Sequence, residues 1–177
     1  MEYCFLGNTG IQVSKLCMGT MTFGREADKA ASKDIFNRCR DAGINFFDCA
    51  NVYSEGRAET ILGELISDCR NELVVSSKFG SPMGNGYNTE GGSRRHLISS
   101  LEASLKRLDT DYIDLYQVHR PDAGTDIDET LGALSDLVRA GKVRLLGSST
   151  FPAEQIVEAQ WVAEKRQRER FRVEQPP

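Results

Sequence analysis

"LCMGTMTFGRE", residues 16–26, decides between the two folds open to this chain. Its first five residues read as a short apolar strand, and the rest is the first strand-to-helix junction. An open sheet that binds a dinucleotide would carry G-x-G-x-x-G at this point, because those glycines let the backbone turn tightly and approach a pyrophosphate at a helix N-terminus. The junction reads Met21-Thr22-Phe23-Gly24-Arg25-Glu26 instead. A second glycine-rich stretch, "GNGYNT" (84–89), has the first two glycines, lacks the third, and lies in a long loop. The open dinucleotide-binding sheet is therefore disfavoured.

Outward from this junction the chain has a rhythm. "YCFLGNTGIQVSKL" (3–16) reads as a hairpin around Gly7-Asn8-Thr9-Gly10. Strands are expected at 16–20, 44–50, 73–79, 112–119, 143–149 and 171–175. Helices are expected at 28–41, 58–69, 94–108, 128–141 and 152–169, with Pro152 opening the last. Residues 80–92 have no periodicity and form a long loop, a kind of segment that is more often functional than filler. Strands alternating with helices mean a parallel sheet covered by helices. Short apolar strands without clean alternation fit a sheet buried on both faces. The fold class expected is α/β, of the (β/α) TIM-barrel type with an N-terminal hairpin. It is incomplete, with about six parallel strands and no closure, in one domain over 1–177.

The composition excludes several functions. A formal net charge of −4 gives no support to nucleic-acid or membrane binding. The basic cluster Lys165, Arg166, Arg168, Arg170 and Arg172 ends a helical stretch, where cations suit the negative helix terminus. Five cysteines, an odd number without C-x-x-C, several of them in apolar runs, suit buried free thiols and a reducing, cytoplasmic compartment. Two histidines without ligand spacing argue against a zinc site. The N-terminus resembles neither a signal peptide nor a membrane anchor.

Three consecutive strands finish on polar groups. The second ends at Asp48, with Tyr53 in its loop; the third ends at Lys78; the fourth, in "DLYQVHRPD" (114–122), ends at His119. Taken singly, each has an ordinary explanation as a turn residue, a packing aromatic, a snorkelling lysine or a strand cap. Parallel neighbours lie roughly 4.8 Å apart, so the ends share one place, and in a barrel that end carries the active site. The set is coherent chemically. A tyrosine titrates near pH ~10 and is a poor acid at neutrality, and an adjacent ammonium favours its ionised form. An aspartate can hold that ammonium, and a histidine can hydrogen-bond a carbonyl oxygen. Such groups protonate an alkoxide as it forms, while the electron pair must come from a cofactor such as a nicotinamide.

On these residues the chain resembles the aldo-keto reductases. "NFFDCANVYSEGRAETILGELI" (45–66) and "SLEASLKRLDTDYIDLYQVHRPD" (100–122) are similar to that family's two signatures. "VVSSKFG" (74–80) carries the lysine, and "AGKVRLLGSST" (140–150) resembles the segment that leads to the nicotinamide contacts. The resemblance implies NADPH-dependent reduction of small carbonyl compounds. Tyr53 would be the proton donor, Lys78 and Asp48 would tune it, and His119 would orient the carbonyl. Gly19, Thr20 and Met21 would lie along the cofactor ribose, with Asp48 beside them, and Ser149, Thr150 and Gln175 near the carboxamide. Thr150 departs from the family's asparagine and offers one hydroxyl in place of an amide donor and acceptor. The family's eight-stranded barrel implies that this sequence corresponds to its N-terminal six βα units, without the segments that contact the pyrophosphate and adenosine. Unpaired sheet edges at 16–20 and 171–175 would then favour self-association, and the inner face along Phe46, Val74 and Leu115 or their neighbours would meet water. The family also includes channel-associated subunits, so a truncated or non-catalytic relative that acts as a binding or regulatory subunit is the alternative.

Overall fold

A computed structural model describes all 177 residues. The hairpin pairs β1 (Tyr3–Phe5) antiparallel with β2 (Gln12–Ser14), Cys4 facing Val13. The remaining strands are β3 (Met18–Gly19), β4 (Phe46–Asp48), β5 (Val74–Phe79), β6 (Ile113–Val118), β7 (Val143–Ser149) and β8 (Phe171–Gln175). They form one parallel sheet in the order β3-β4-β5-β6-β7-β8. Strand order follows chain order throughout, whereas a doubly wound sheet reverses direction midway. The sheet also curls: Gln175 of β8 donates from Nε2 to Asp48 Oδ2 of β4 at 3.4 Å, although three strands intervene. The architecture is an open, incomplete TIM-like barrel.

The helices are α1 (Lys29–Asp41), α2 (Arg57–Ile66), α3 (Arg94–Leu108), α4 (Ile127–Arg139) and α5 (Ala153–Arg166). Asp28, Ser93 and Asp126 cap α1, α3 and α4 by accepting backbone N–H groups that no helical carbonyl reaches. Asp109, in the left-handed conformation, ends α3. Pro152 is the cap residue before α5, and α5 stops at Arg166, three residues earlier than expected. Helix α2 also stops early, at Ile66, because residues 70–72 form a separate 3-10 turn. Edge strand β3 is only two residues long. Of the basic cluster, Arg166 and Arg168 pair with Asp128 of α4, Arg168 at 3.0 Å.

The apolar core lies between the helices and the outer face of the sheet. Phe47, Val75, Phe79, Tyr116 and Leu146 meet Leu62, Ile66, Leu97, Leu101 and Leu134, and each of these is buried. At about 1.5–3 kcal/mol per fully buried large side chain, this layer is the main force that holds the helices on the sheet. The inner face differs from the expectation. Phe46 is half-buried, but Val74 and Leu115 are buried. The hairpin is tied to the start of β4 through Asn45, whose Oδ1 accepts from Ser14 N–H at 2.7 Å, and through Tyr3 OH donating to Gly43 O. Leu115 and Gln117 also fold over Gly147, where a Cβ would lie 3.0–3.2 Å from them. Bulk on one strand thus fills space left by its neighbour. The cysteines are all free, yet only Cys49 is buried; Cys4 and Cys17 are exposed.

Candidate active site

The C-terminal ends of β4, β5 and β6 bring the expected four residues together. Asp48 is the last residue of β4, Lys78 the penultimate residue of β5, and His119 follows β6 directly. Pairing aligns Asp48 with Ser76 and Lys78 with Gln117, so these four side chains share the inner face. Lys78 is 1% exposed and Asp48 8%. Their charges meet at 2.5 Å, and Asp48 Oδ1 accepts from Ser76 Oγ at 2.9 Å. The ammonium makes two more bonds, to Cys49 O at 3.0 Å and to the Tyr53 oxygen at 3.4 Å. All three of its protons are engaged. An ammonium only donates, so the Tyr53 oxygen accepts.

His119 stands edge-on to Tyr53, ring centroids 5.9 Å apart at 82°. Its backbone N–H donates to Phe79 O at 2.8 Å, and its Nδ1 lies 3.3 Å from Ser81 Oγ. Burial pushes its pKa down to about 4; the Lys78 ammonium and then Arg120 add to this, against an opposing effect from Asp48. The imidazole is uncharged at neutral pH, with one nitrogen a donor and the other an acceptor.

Tyr53 and His119 open onto a cleft of about 890 Å³, bounded by Met21, Ser81, Glu90 and Arg120. The loop at 80–92 forms one wall. Gly91 N–H donates to Gly80 O at its neck, and Asp122 clasps it by accepting Gly92 N–H at 2.7 Å. The same carboxylate accepts Thr125 Oγ1 and Gly124 N–H, and these bonds, Thr125's foremost, hold it below the usual carboxylate range.

The other expected residues are placed unevenly. Thr20 is buried and gives both its N–H and its Oγ1 to Asp48 O, each at 2.9 Å, so it ties β3 to β4. Gly19 is open, with no atom within 4 Å of a Cβ position, and Met21 is exposed at the cleft rim. Ser149 Oγ donates to Gln175 O, and Thr150, in the left-handed region at φ 58°, donates to His119 O. Ser76, Gln117 and Asp122 were not singled out from sequence. Gln117 donates from Nε2 to Ser76 Oγ and to Gln175 Oε1, while its own Oε1 is buried without a partner. A polar residue two positions before Lys78 and another two before His119 were the available signals, since period two puts them on the same inner face.

An open barrel with a buried aspartate–lysine pair, a tyrosine on that lysine and a neutral histidine at its C-terminal rim defines the class of protein. The family model of the aldo/keto reductase family matches residues 15–173, and the chain belongs to that family. It is 44% identical over 169 residues to a probable voltage-gated potassium channel subunit beta of Oryza sativa subsp. japonica, covering 93% of this chain and 51% of that protein. It is 42% identical over 177 residues to the uncharacterized oxidoreductase YrpG of Bacillus subtilis, covering 94% and 54%. The aldo-keto reductase YhdN of the same bacterium is 36% identical over 162 residues, covering 88% and 49%. The chain spans about half the length of the curated relatives it matches. No helix is long and apolar enough to cross a membrane.

Proposed function

We propose that this chain carries the chemistry of an NADPH-dependent oxidoreductase that reduces aldehydes and ketones to alcohols. The observation that carries the reading is the use of the Lys78 protons. Because the Tyr53 oxygen accepts from the ammonium, its own proton is free to face the cleft. Tyr53 gives that proton to the carbonyl oxygen as negative charge grows there. Lys78 stabilises the charge left on the phenolic oxygen, and Asp48 and Cys49 O hold the ammonium in place. When Ser81 donates to Nδ1 of His119, Nε2 carries the proton and can hydrogen-bond the substrate oxygen.

When bound, the reduced nicotinamide supplies the hydride. The residues present suit its nicotinamide end. The orphaned Gln117 Oε1, next to Gln175, is an acceptor that a carboxamide N–H satisfies, and Gly19 leaves open space beside Asp48. Met21, exposed at the cleft rim, would lie along the ribose with Gly19, while buried Thr20 ties that segment to Asp48, and Ser149, Thr150 and Gln175 would stand near the carboxamide. These residues hold only one end of the cofactor, so its affinity for this chain is expected to be weak. The five free thiols support a reducing, cytoplasmic setting.

The test is aldehyde-dependent oxidation of NADPH, with Tyr53→Phe as the control that removes only a hydroxyl. Turnover should fall roughly 10²-fold or more in the variant while cofactor binding stays near normal. Equal losses in binding and rate would reduce Tyr53 to a packing role. The name of the rice relative favours a second reading, a binding or regulatory subunit. Under it, association with a partner would persist in Tyr53→Phe and no aldehyde would be turned over.

A further inference from the structure

Tyr53 is followed by three residues in left-handed backbone: Ser54 at φ 51°, Glu55 at φ 58° and Gly56 at φ 90°. L-residues avoid that region, so the surroundings must hold the turn. On one side Ser54 Oγ donates to Phe23 O at 2.7 Å. On the other, Arg107 of α3 lies across Gly56, where a Cβ would meet its Cδ at 2.8 Å and its Nε at 2.9 Å. Arg107 Nε donates to Glu59 Oε2 at 2.7 Å. Glu59 is 0% exposed, and its second oxygen accepts from Ser77 Oγ at 2.5 Å. Ser77 is the residue next to Lys78. A close approach of α2 to α3 makes this reach possible, since a Cβ at Gly63 would lie 2.7 Å from the Leu108 backbone.

We propose that Arg107, acting through Glu59 and Gly56, is a positioning residue that locks the left-handed turn and so sets Tyr53 against Lys78. One ion pair, its carboxylate fully buried and its guanidinium half-buried, reaches both halves of that contact: Gly56 on the tyrosine side and Ser77 on the lysine side. The contact is the longest of the ammonium's three, 3.4 Å, and Lys78 is the only hydrogen-bond partner of the Tyr53 oxygen. A small shift of the turn therefore breaks it. The catalytic consequence rests on the proposed role of Tyr53; the structural lock does not.

The test uses the full chain with 3-fluorotyrosine incorporated, the Tyr53 fluorine resonance being assigned by its loss in Tyr53→Phe. Arg107→Ala should move that resonance in the direction seen in Lys78→Met and leave exposed Tyr3 and Tyr87 unmoved. Arg107→Lys keeps the charge for Glu59 but loses the flat contact on Gly56, and should give a smaller shift. Gly56→Ala strains the left-handed turn by itself at φ 90° as well as pushing a methyl against Arg107, so it should move the Tyr53 resonance without removing the ion pair and shows how far the turn controls that contact. If Arg107→Ala does not fold, Arg107→Lys decides. Combined with Arg107→Ala, the glycine change should be non-additive. In turnover, kcat should fall about 10²-fold while KM changes little, because misplacement by about an ångström is enough. A lowered melting temperature with an unmoved Tyr53 resonance and unchanged kcat would make Arg107 a brace between helices and overturn the proposal. A wild-type chain without turnover, in which the resonance still moves, would remove the reductase reading and leave the lock standing.

Discussion

His119 should titrate with a pKa near 4, far below the ordinary value of 6.5. Three features act in one direction: burial of the ring, the Lys78 ammonium and the Arg120 guanidinium, with Asp48 opposing. At about 1.36 kcal/mol per pH unit the depression amounts to about 3 kcal/mol for a ring sealed from water. His119 is only half-buried, so roughly half of that is expected in stability. The sign follows from proton uptake. Below pH 6.5 the unfolded chain binds a proton that the folded ring refuses, so stability falls as pH drops from about 6.5 to about 4, and this contribution then levels off. Well above pH 7 the ring is uncharged in both states and adds no slope. The assay is the NMR titration of the ring Cε1–H resonance, assigned with His119→Asn. That variant also separates the effect from His96, whose pKa burial lowers too. Lys78→Met should raise the His119 pKa clearly, and Arg120→Gln should raise it less, since the lysine is the larger electrostatic cause. A wild-type pKa at or above 6.5 would refute the reasoning and mean that the strand end is wet.

Lys78→Met should also destabilise the chain by about 3 kcal/mol or more, because Asp48 is left charged and buried without its partner; a denaturant midpoint equal to wild type would show that water reaches the pair. Thiol titration of the unfolded, unreduced chain should count five, with Cys4 reacting in the native state and Cys49, its thiol pushed up to about 12 by burial, silent until unfolding. A count of three or fewer would reveal a disulfide. Strands β3 and β8 each pair on one side only, and β8 is the longer edge, so the isolated chain should self-associate in a concentration-dependent way on sizing chromatography. Elution as a monomer at every concentration would show that the charges on β8 suffice to block pairing.

Local signals carried much of the architecture. The caps at Asp28, Ser93 and Asp126 and the apolar spacing of α3 lie within a few residues of the elements they define, so the helix at 94–108 and the strands at 143–149 and 171–175 are found where the pattern puts them. The gathering of Asp48, Lys78 and His119 was legible for a similar reason. Adjacent parallel strands that each end on a polar residue have to present those ends together. Boundaries were less legible where tertiary contacts override propensity, as at the two-residue edge strand β3 and the early end of α2. The exposure expected for the inner face does not hold at Val74 and Leu115, where side chains such as those of Leu115 and Gln117 fold over Gly147, while neighbouring Phe46 and Leu145 stay half-buried.

The order of the elements, the barrel-type alternation and the identities of four residues at the rim were determined by the sequence alone, since each depends on neighbours within one turn or one strand. Which atoms meet was decided only by the tertiary structure. The three bonds of the Lys78 ammonium, the Gln117 amide bonds to Ser76 and Gln175, the Asp122 clasp and the Arg107–Glu59 pair behind the Tyr53 turn join residues far apart in the chain. The Gln175 to Asp48 bond spans 127 positions. Such contacts depend on the curl of the sheet and on how closely α2 approaches α3. Those distances come from packing the whole core, and no local periodicity encodes them.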